Sequence, residues 1–200
     1  MDSIETVALA AGLAWASGVR LYAVLFFAGM LANLGYIDLP EHLQVLSHPV
    51  VLTASGFMFA VEFFADKIPG FDSLWDAVHT FIRIPAGALL AALALANQDP
   101  GLIVAAAILG GTLTSLAHLT KAGSRALINA SPEPFSNWTA SLGEDALVFS
   151  ALWAALKYPL AFLIGIAVFV LIALWLLPKL WRGLRAAWRL LRGAPPPAQP

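Results

Sequence analysis

The sequence predicts an all-α polytopic membrane protein with about six transmembrane helices, signs of two inverted three-helix repeats with broken or re-entrant helices, and a C-terminal amphipathic interfacial helix. Three observations predict it. Of the 200 residues 60% are hydrophobic and 12% charged, and the mean hydropathy is +0.81, well above that of a soluble domain of this size. Six segments are apolar enough to cross a bilayer. The basic residues gather on one side of those segments. No cysteine is present, which excludes disulfides, thiolate metal sites and cysteine nucleophiles.

The first segment, 6–34, is overlong: about 28 residues at 1.5 Å each give about 42 Å against a core of about 30 Å. It must tilt or break, and Ser17-Gly18 is the natural break. Arg20 follows directly. The remaining spans are 49–66, 84–97 (short), 102–128, 139–156 and 158–177, the last being the only uninterrupted apolar run. Residues 1–177 therefore form one membrane domain, with candidate repeats 6–97 and 102–177. The opening MDSIE lacks the basic residues of a signal peptide, so the first segment is expected to be retained.

With both termini cytoplasmic, the inner loops and tail carry Lys67, Arg83, Lys121, Arg125, Lys179, Arg182, Arg185, Arg189 and Arg192, and the outer loops only Lys157. This distribution predicts a multi-pass protein of the cell inner (plasma) membrane. Between the second and third spans, FDSLWDAVHTFIR sets Phe71, Trp75, Val78 and Ile82 opposite Asp72, Asp76, His79 and Arg83, the pattern of a short amphipathic helix on the inner surface or folded into the domain. Residues 178–193 read as a basic amphipathic helix, with Trp181, Leu184, Trp188 and Leu191 on one face and four arginines on the other, suited to anionic lipid headgroups. Residues 194–200 are a proline-rich tail expected to be disordered.

The halves share short pieces. Ser17-Gly18-Val19-Arg20 matches Ala122-Gly123-Ser124-Arg125, and Thr53-Ala54-Ser55 matches Thr139-Ala140-Ser141, with acids following in both: Glu62 and Asp66, then Glu144 and Asp145. Three spans per half would invert the second half, as in many transporters.

Ionisable groups within a bilayer cost roughly 2.5–3.5 kcal/mol each by insertion scales and so face partners or wet cavities. Arg20, Glu62, Arg125, Glu144 and Asp145, with Asn137 from the loop NASPEPFSNW, are the candidate substrate- or ion-binding residues. Arg20 would bind an anionic group or be bridged to Glu62 or Glu144, and acids outnumber bases, which leaves a carboxylate for protons or cations. The two prolines of that loop oppose helix, and Ser131, Glu133, Ser136 and Asn137 could line a re-entrant cavity. Asp66, Lys67, Asp72, Asp76, His79 and Arg83 form a secondary polar site, whose two acids and histidine make no recognised metal signature. His118 reads as a buried hydrogen-bonding histidine. Gly110-Gly111, Ala86-Gly87-Ala88 and similar small residues imply close helix packing or a homo-oligomer. No phosphate loop, zincin helix or nucleophile elbow is present; no cofactor, metal or nucleic-acid partner is indicated.

The stretches SGVRLY, VEFFADKIPGFDSLWDAVHTFIRIPAGA, TKAGSRALINASPEPFSNW and SLGED resemble a family of bacterial and plant membrane proteins catalogued as domain of unknown function 4126. The likeness covers roughly residues 10 to 160. It implies a polytopic membrane fold and brings no activity, substrate or catalytic residue. It also implies that Arg20, Glu62, Asp66, Lys67, Asp72, Asp76, His79, Arg83, Lys121, Arg125, Glu133, Asn137, Glu144 and Asp145 belong to the family's pattern. The basic helix and proline tail lie outside it.

On the residues themselves the leading expectation is a small transporter or channel. The alternatives are a membrane enzyme acting on a lipid headgroup at the cytoplasmic surface through Asp72, Asp76 and His79, and a non-catalytic membrane scaffold.

Overall fold

A computed structural model describes residues 2–68, 71–129 and 134–191, apart from the side chains of 134, 135, 137, 186–188, 190 and 191. The regular elements among the described residues are all helices, without strands: α1 (Ser3–Asn33), a 3-10 segment (Glu41–Ser47), α2 (Pro49–Ala65), α3 (Phe71–Ala94), α4 (Pro100–Ile128), α5 (Pro134–Lys157) and α6 (Pro159–Leu191). Local chemistry starts most of them. α2 and α4 carry proline in the first turn, where its missing N–H is no loss, and are capped by His48 on the Val50 amide at 3.3 Å and by Asp99 on the Gly101 amide at 2.8 Å. At the head of α1 the Asp2 amide donates to Glu5 at 2.8 Å.

Four helices, α1, α3, α4 and residues Pro159–Arg185 of α6, are long and apolar enough to cross a membrane; α2 with the 3-10 segment, bent by 65°, makes a fifth. Three boundaries differ from the sequence reading. The amphipathic stretch 71–83 and the short span 84–97 are one helix, α3, which runs through Pro85. Pro134 opens α5 instead of opposing helix, as proline does at a first turn. The basic segment after Pro178 continues α6 rather than forming a separate helix. Residues Ala130 to Glu133 of the proline-containing loop, and the tail from Arg192, lie outside the described residues, as does the side chain of Asn137.

The course of α1 organises the molecule. Arg20 has φ −148° and ψ 87°, far from helical values, and splits α1 into limbs 3–19 and 21–33. Thr6 lines one cleft together with Asp38, Leu39, Pro40, Ala94, Asn97 and Gln98. In a straight helix Thr6 and Asn33 would stand about 40 Å apart, and the five residues on to Asp38 reach back only about 17 Å. The limbs therefore fold back on each other, with Arg20 at the tip. Both lie along α5: a Cβ on Gly12 would come within 2.9 Å of Ala155, and the Phe27 ring is 5.6 Å from Phe149.

The remaining helices run between two ends. The start of α1, the 3-10 segment, the end of α3 and the start of α4 share one end; Asp66, Asp72, Lys121, Arg125 and the start of α5 gather at the other, the ionic end. α6 returns alongside α4, with Leu180 against Gly123. The first turn of α1 and the last turns of α6 thus lie at opposite ends of the bundle, against the expectation that both termini share a side.

Close packing of α1, α3 and α4 uses glycine. A Cβ on Gly18 would collide with the Thr114 carbonyl, one on Gly87 with the Thr114 side chain, and one on Gly110 would lie 2.5 Å from Ala91. α1 is the buried axis, and Leu9, Leu13, Leu21 and Val24 are at most 2% exposed.

Candidate functional site

α3 is amphipathic with the reverse of a soluble helix's orientation. Asp72, Asp76, His79 and Arg83 are 1%, 2%, 5% and 0% exposed, whereas Leu74, Val78 and Phe81 are 61%, 55% and 83% exposed. The sequence reading left this helix either on the inner surface or folded into the domain. The structure turns its polar face inward, which fits a hydrocarbon surround, where charged groups seek protein partners and apolar ones do not need them.

Those partners converge from five helices. At the α1 break, the Arg20 guanidinium meets Asp66 of α2 at 3.0 Å and Asp145 of α5 at 2.8 Å, with Glu144 at 3.6 Å. It also donates to the Ser141 hydroxyl at 2.7 Å and carbonyl at 3.0 Å. Breaking a helix exposes carbonyls at the end of its first limb, and Lys121 of α4 donates to one of them, Val19, at 3.0 Å. Arg125 grips Glu144 with two bonds, 2.8 and 3.0 Å, the fork geometry that suits a guanidinium to a carboxylate.

A second cluster surrounds Arg83, which pairs with Asp76 at 2.7 Å and with Glu62. Lys121 joins the clusters, at 3.5 Å from Asp76, 3.3 Å from Asp66 and 3.4 Å from Glu144. Glu62 thus belongs to Arg83, not to Arg20 as the sequence suggested, while Glu144 is a distant neighbour of Arg20 and a close partner of Arg125.

The histidines are fixed by their partners. Thr80 donates to the Asp76 carbonyl at 2.9 Å, so its oxygen accepts from His118 Nε2 at 2.6 Å and His118 Nδ1 is left as acceptor toward Arg83 at 3.3 Å. His79 is assigned to donate from Nδ1 to the Trp75 carbonyl at 2.8 Å and to accept from Tyr22 at 3.2 Å. Both assignments fit a neutral ring. Asp72 accepts from Asn129 at 2.8 and 2.9 Å. Asp72, Asp76 and His79 therefore turn to different partners, and among the described residues no set of three acids or histidines is arranged to hold a metal ion.

Among the described residues, the acids of the network are most open at the start of α5. Glu144 and Asp145 are 15% and 18% exposed. Beside them Lys67, just past the end of α2, donates to the Phe63 carbonyl at 3.0 Å and lies over the Phe63 ring at 2.7 Å and the Trp138 ring at 5.4 Å. Burial, and then the like charge of Arg20, hold its ammonium below the usual lysine range. Away from the ionic end the site is backed by aromatic rings from α1, α2 and α5: Phe27 lies 5.5 Å from Phe59 and 5.6 Å from Phe149, and Phe26 lies 6.3 Å from Phe59.

The sequence reading named most of these groups but left Lys121, Ser141, Tyr22, Thr80 and Asn129 out of the site. Lys121 was legible: it stands four residues before Arg125, on the same helix face. Ser141, Tyr22, Thr80 and Asn129 all lay within stretches already noted, but nothing in their spacing separates them from ordinary polar residues.

No curated protein and no solved structure matches the chain significantly. The family model described as Domain of unknown function (DUF4126) matches residues 7–179, in agreement with the resemblance carried by the polar motifs, and the chain belongs to this family.

Proposed function

We propose that the protein is a small transporter or channel of the inner membrane, and that its ionic network is the site for a small solute or ion. The observation that carries this reading is the fold-back of α1 at a fully buried arginine, where carboxylates of α2 and α5 gather. Discontinuous helices build the midplane sites of many secondary transporters, and ionisable groups within a bilayer commonly mark pathways. An anionic ligand at Arg20 would compete with Asp66, Asp145 and Ser141, which take its Nε and Nη2, while Nη1 has no partner among the described residues.

In this reading α2, α3, α4 and α6 cross the membrane, α5 crosses with them although it is less apolar than the candidate spans, and α1 is re-entrant, in place of six crossings. α2 has 17 residues, about 25 Å, so the bent 3-10 segment completes that span. Lys67, Lys179, Arg182, Arg185 and Arg189 lie toward the ionic end and Lys157 toward the other, which supports a cytoplasmic ionic end, with the first turn of α1 on the opposite side. α2 and α5 run in opposite directions, as do α3 and α6, which supports an inverted plan for those two pairs; α1 and α4 depart from it. The exposed bases Lys179, Arg182 and Arg185 at the end of α6, with Lys179 3.1 Å over Trp175 and Arg185 4.9 Å over Trp181, would face anionic headgroups. Access is from the cytoplasm at Glu144 and Asp145, and the Phe27, Phe59 and Phe149 cluster is the barrier on the other side, a hydrophobic constriction of the kind that gates by excluding water.

The test is flux in vesicles containing purified protein, read with internal proton- and alkali-ion-sensitive dyes and with radiolabelled small ions. Flux above that of empty vesicles, reduced at least tenfold in Arg20→Met and in Asp145→Asn, supports the reading. Wild-type flux equal to that of empty vesicles for every probe, or unaltered flux in folded Arg20→Met, overturns it.

A further inference from the structure

The linked network is short of positive charge. Glu62, Asp66, Asp76, Glu144 and Asp145 are joined through Arg20, Arg83, Lys121 and Arg125, five acids against four bases. Adding the next shell, Asp72 and Lys67, leaves the same excess of one acid. Both neighbouring histidines fit the neutral form, and the sequence of residues 69–70 and 130–133 contains no lysine or arginine to supply the missing charge.

The same region contains buried oxygens that need a partner. Glu62 Oε2, Asp66 Oδ1 and Asp76 Oδ2 have no hydrogen-bond donor among the described residues, on side chains 0%, 1% and 2% exposed. An uncompensated charge and unfilled carboxylate oxygens away from water are each strongly unfavourable. A divalent metal does not fit, since the deficit is one charge and no three acids or histidines among the described residues converge on a common point.

We infer that the network binds one exchangeable monovalent cation, a proton or an alkali-metal ion, at one of the free carboxylate oxygens of Glu62, Asp66 and Asp76, Glu62 foremost. This rests on the reading of the network as a transport site and names the ion it takes. The groups facing it are Arg20 and Tyr22 from α1, Asp76, His79 and Arg83 from α3, His118, Lys121 and Arg125 from α4, and Glu144 and Asp145 from α5. Glu62 is the best place to remove the excess, because its one basic partner, Arg83, is shared with Asp76.

Ligands that bind only the folded state raise its unfolding midpoint by mass action. The full chain, purified in detergent, is melted in sodium, potassium or choline chloride at fixed ionic strength, and across pH 5 to 8 in choline chloride. A midpoint that rises several degrees with sodium or potassium but not choline identifies an alkali ion, whereas a rise on acidification alone identifies a proton. Glu62→Gln, which removes the excess charge at constant shape, is expected to abolish the response, and Asp76→Asn to weaken it. An infrared difference spectrum of the wild type on the same exchange, showing a carboxylate band altered, gives a reading that needs no variant. A wild-type midpoint and spectrum indifferent to all three conditions, or a wild-type response retained in Glu62→Gln, overturns the inference. Binding without vesicle flux would keep the cation site and reject transport, so the two failures are separable.

Discussion

Arg20 and Arg83 are both fully buried guanidiniums that bridge carboxylates from different helices, yet their surroundings differ. Arg83 sits in unbroken helix, enclosed by Glu62, Asp76 and His118. Arg20 sits at a helix break, and two of its acidic neighbours, Glu144 and Asp145, reach the surface. Its partners are also shared: Asp66 and Glu144 keep Lys121 and Arg125, whereas among the described residues Glu62 pairs with no base but Arg83. The difference teaches that burial alone does not rank such charges. What matters is whether the groups left behind have another cation or a route to water.

The largest expected effect breaks the closed side. Arg83→Met strands Glu62 and, in part, Asp76, and should lower stability by about 3–5 kcal/mol; thermal unfolding in detergent measures it. Adding Glu62→Gln and Asp76→Asn should restore most of the loss, and no recovery would mean that charge pairing is not what Arg83 contributes. Arg20→Met should cost less, about 1.5–3 kcal/mol, because only Asp145 loses its one close base. An equal or larger loss than at Arg83 would undo the distinction between the sites.

Gly18→Ala tests the break from the other direction. Its methyl group would meet the Thr114 carbonyl and lie 2.7 Å from Ala117, so a loss of about 1–3 kcal/mol is expected, along with impaired flux from a displaced Arg20. The smallest effect belongs to Lys67. Its lowered pKa means that the folded state binds its proton more weakly than the unfolded chain, so stability rises with pH between that lowered value and the usual lysine value. Lys67→Met should flatten that alkaline rise while changing neutral-pH stability by no more than about 1 kcal/mol; a series of melts at alkaline pH reads both.

How far the sequence reached varies by element. The overlong first segment beside Ser17-Gly18 revealed that a break was needed and named its neighbourhood, because helix rise and bilayer thickness are fixed lengths. It did not say whether the second limb continues across or returns. Residues 71–83 were legible as amphipathic, but the pattern alone left open whether the polar face meets the inner surface or the domain interior. Pro85 and Pro178 suggested ends where the helices continue, because loss of one amide bond is outweighed when the flanking turns are well packed or intrinsically helical.

By itself the sequence determined the membrane class, the helix starts set by Pro49, Pro100 and Pro159, the family, and the set of ionisable groups that had to find partners. These follow from composition and from contacts within a turn or two. Only the tertiary structure decided that α1 folds back, that Glu62 pairs with Arg83 and Asp66 with Arg20, and that the polar face of α3 turns inward. Each depends on which helix faces meet, from 21 residues of chain apart for Glu62 and Arg83 to 121 for Arg20 and Ser141, and several carboxylates of equal chemistry compete for each cation until packing chooses among them.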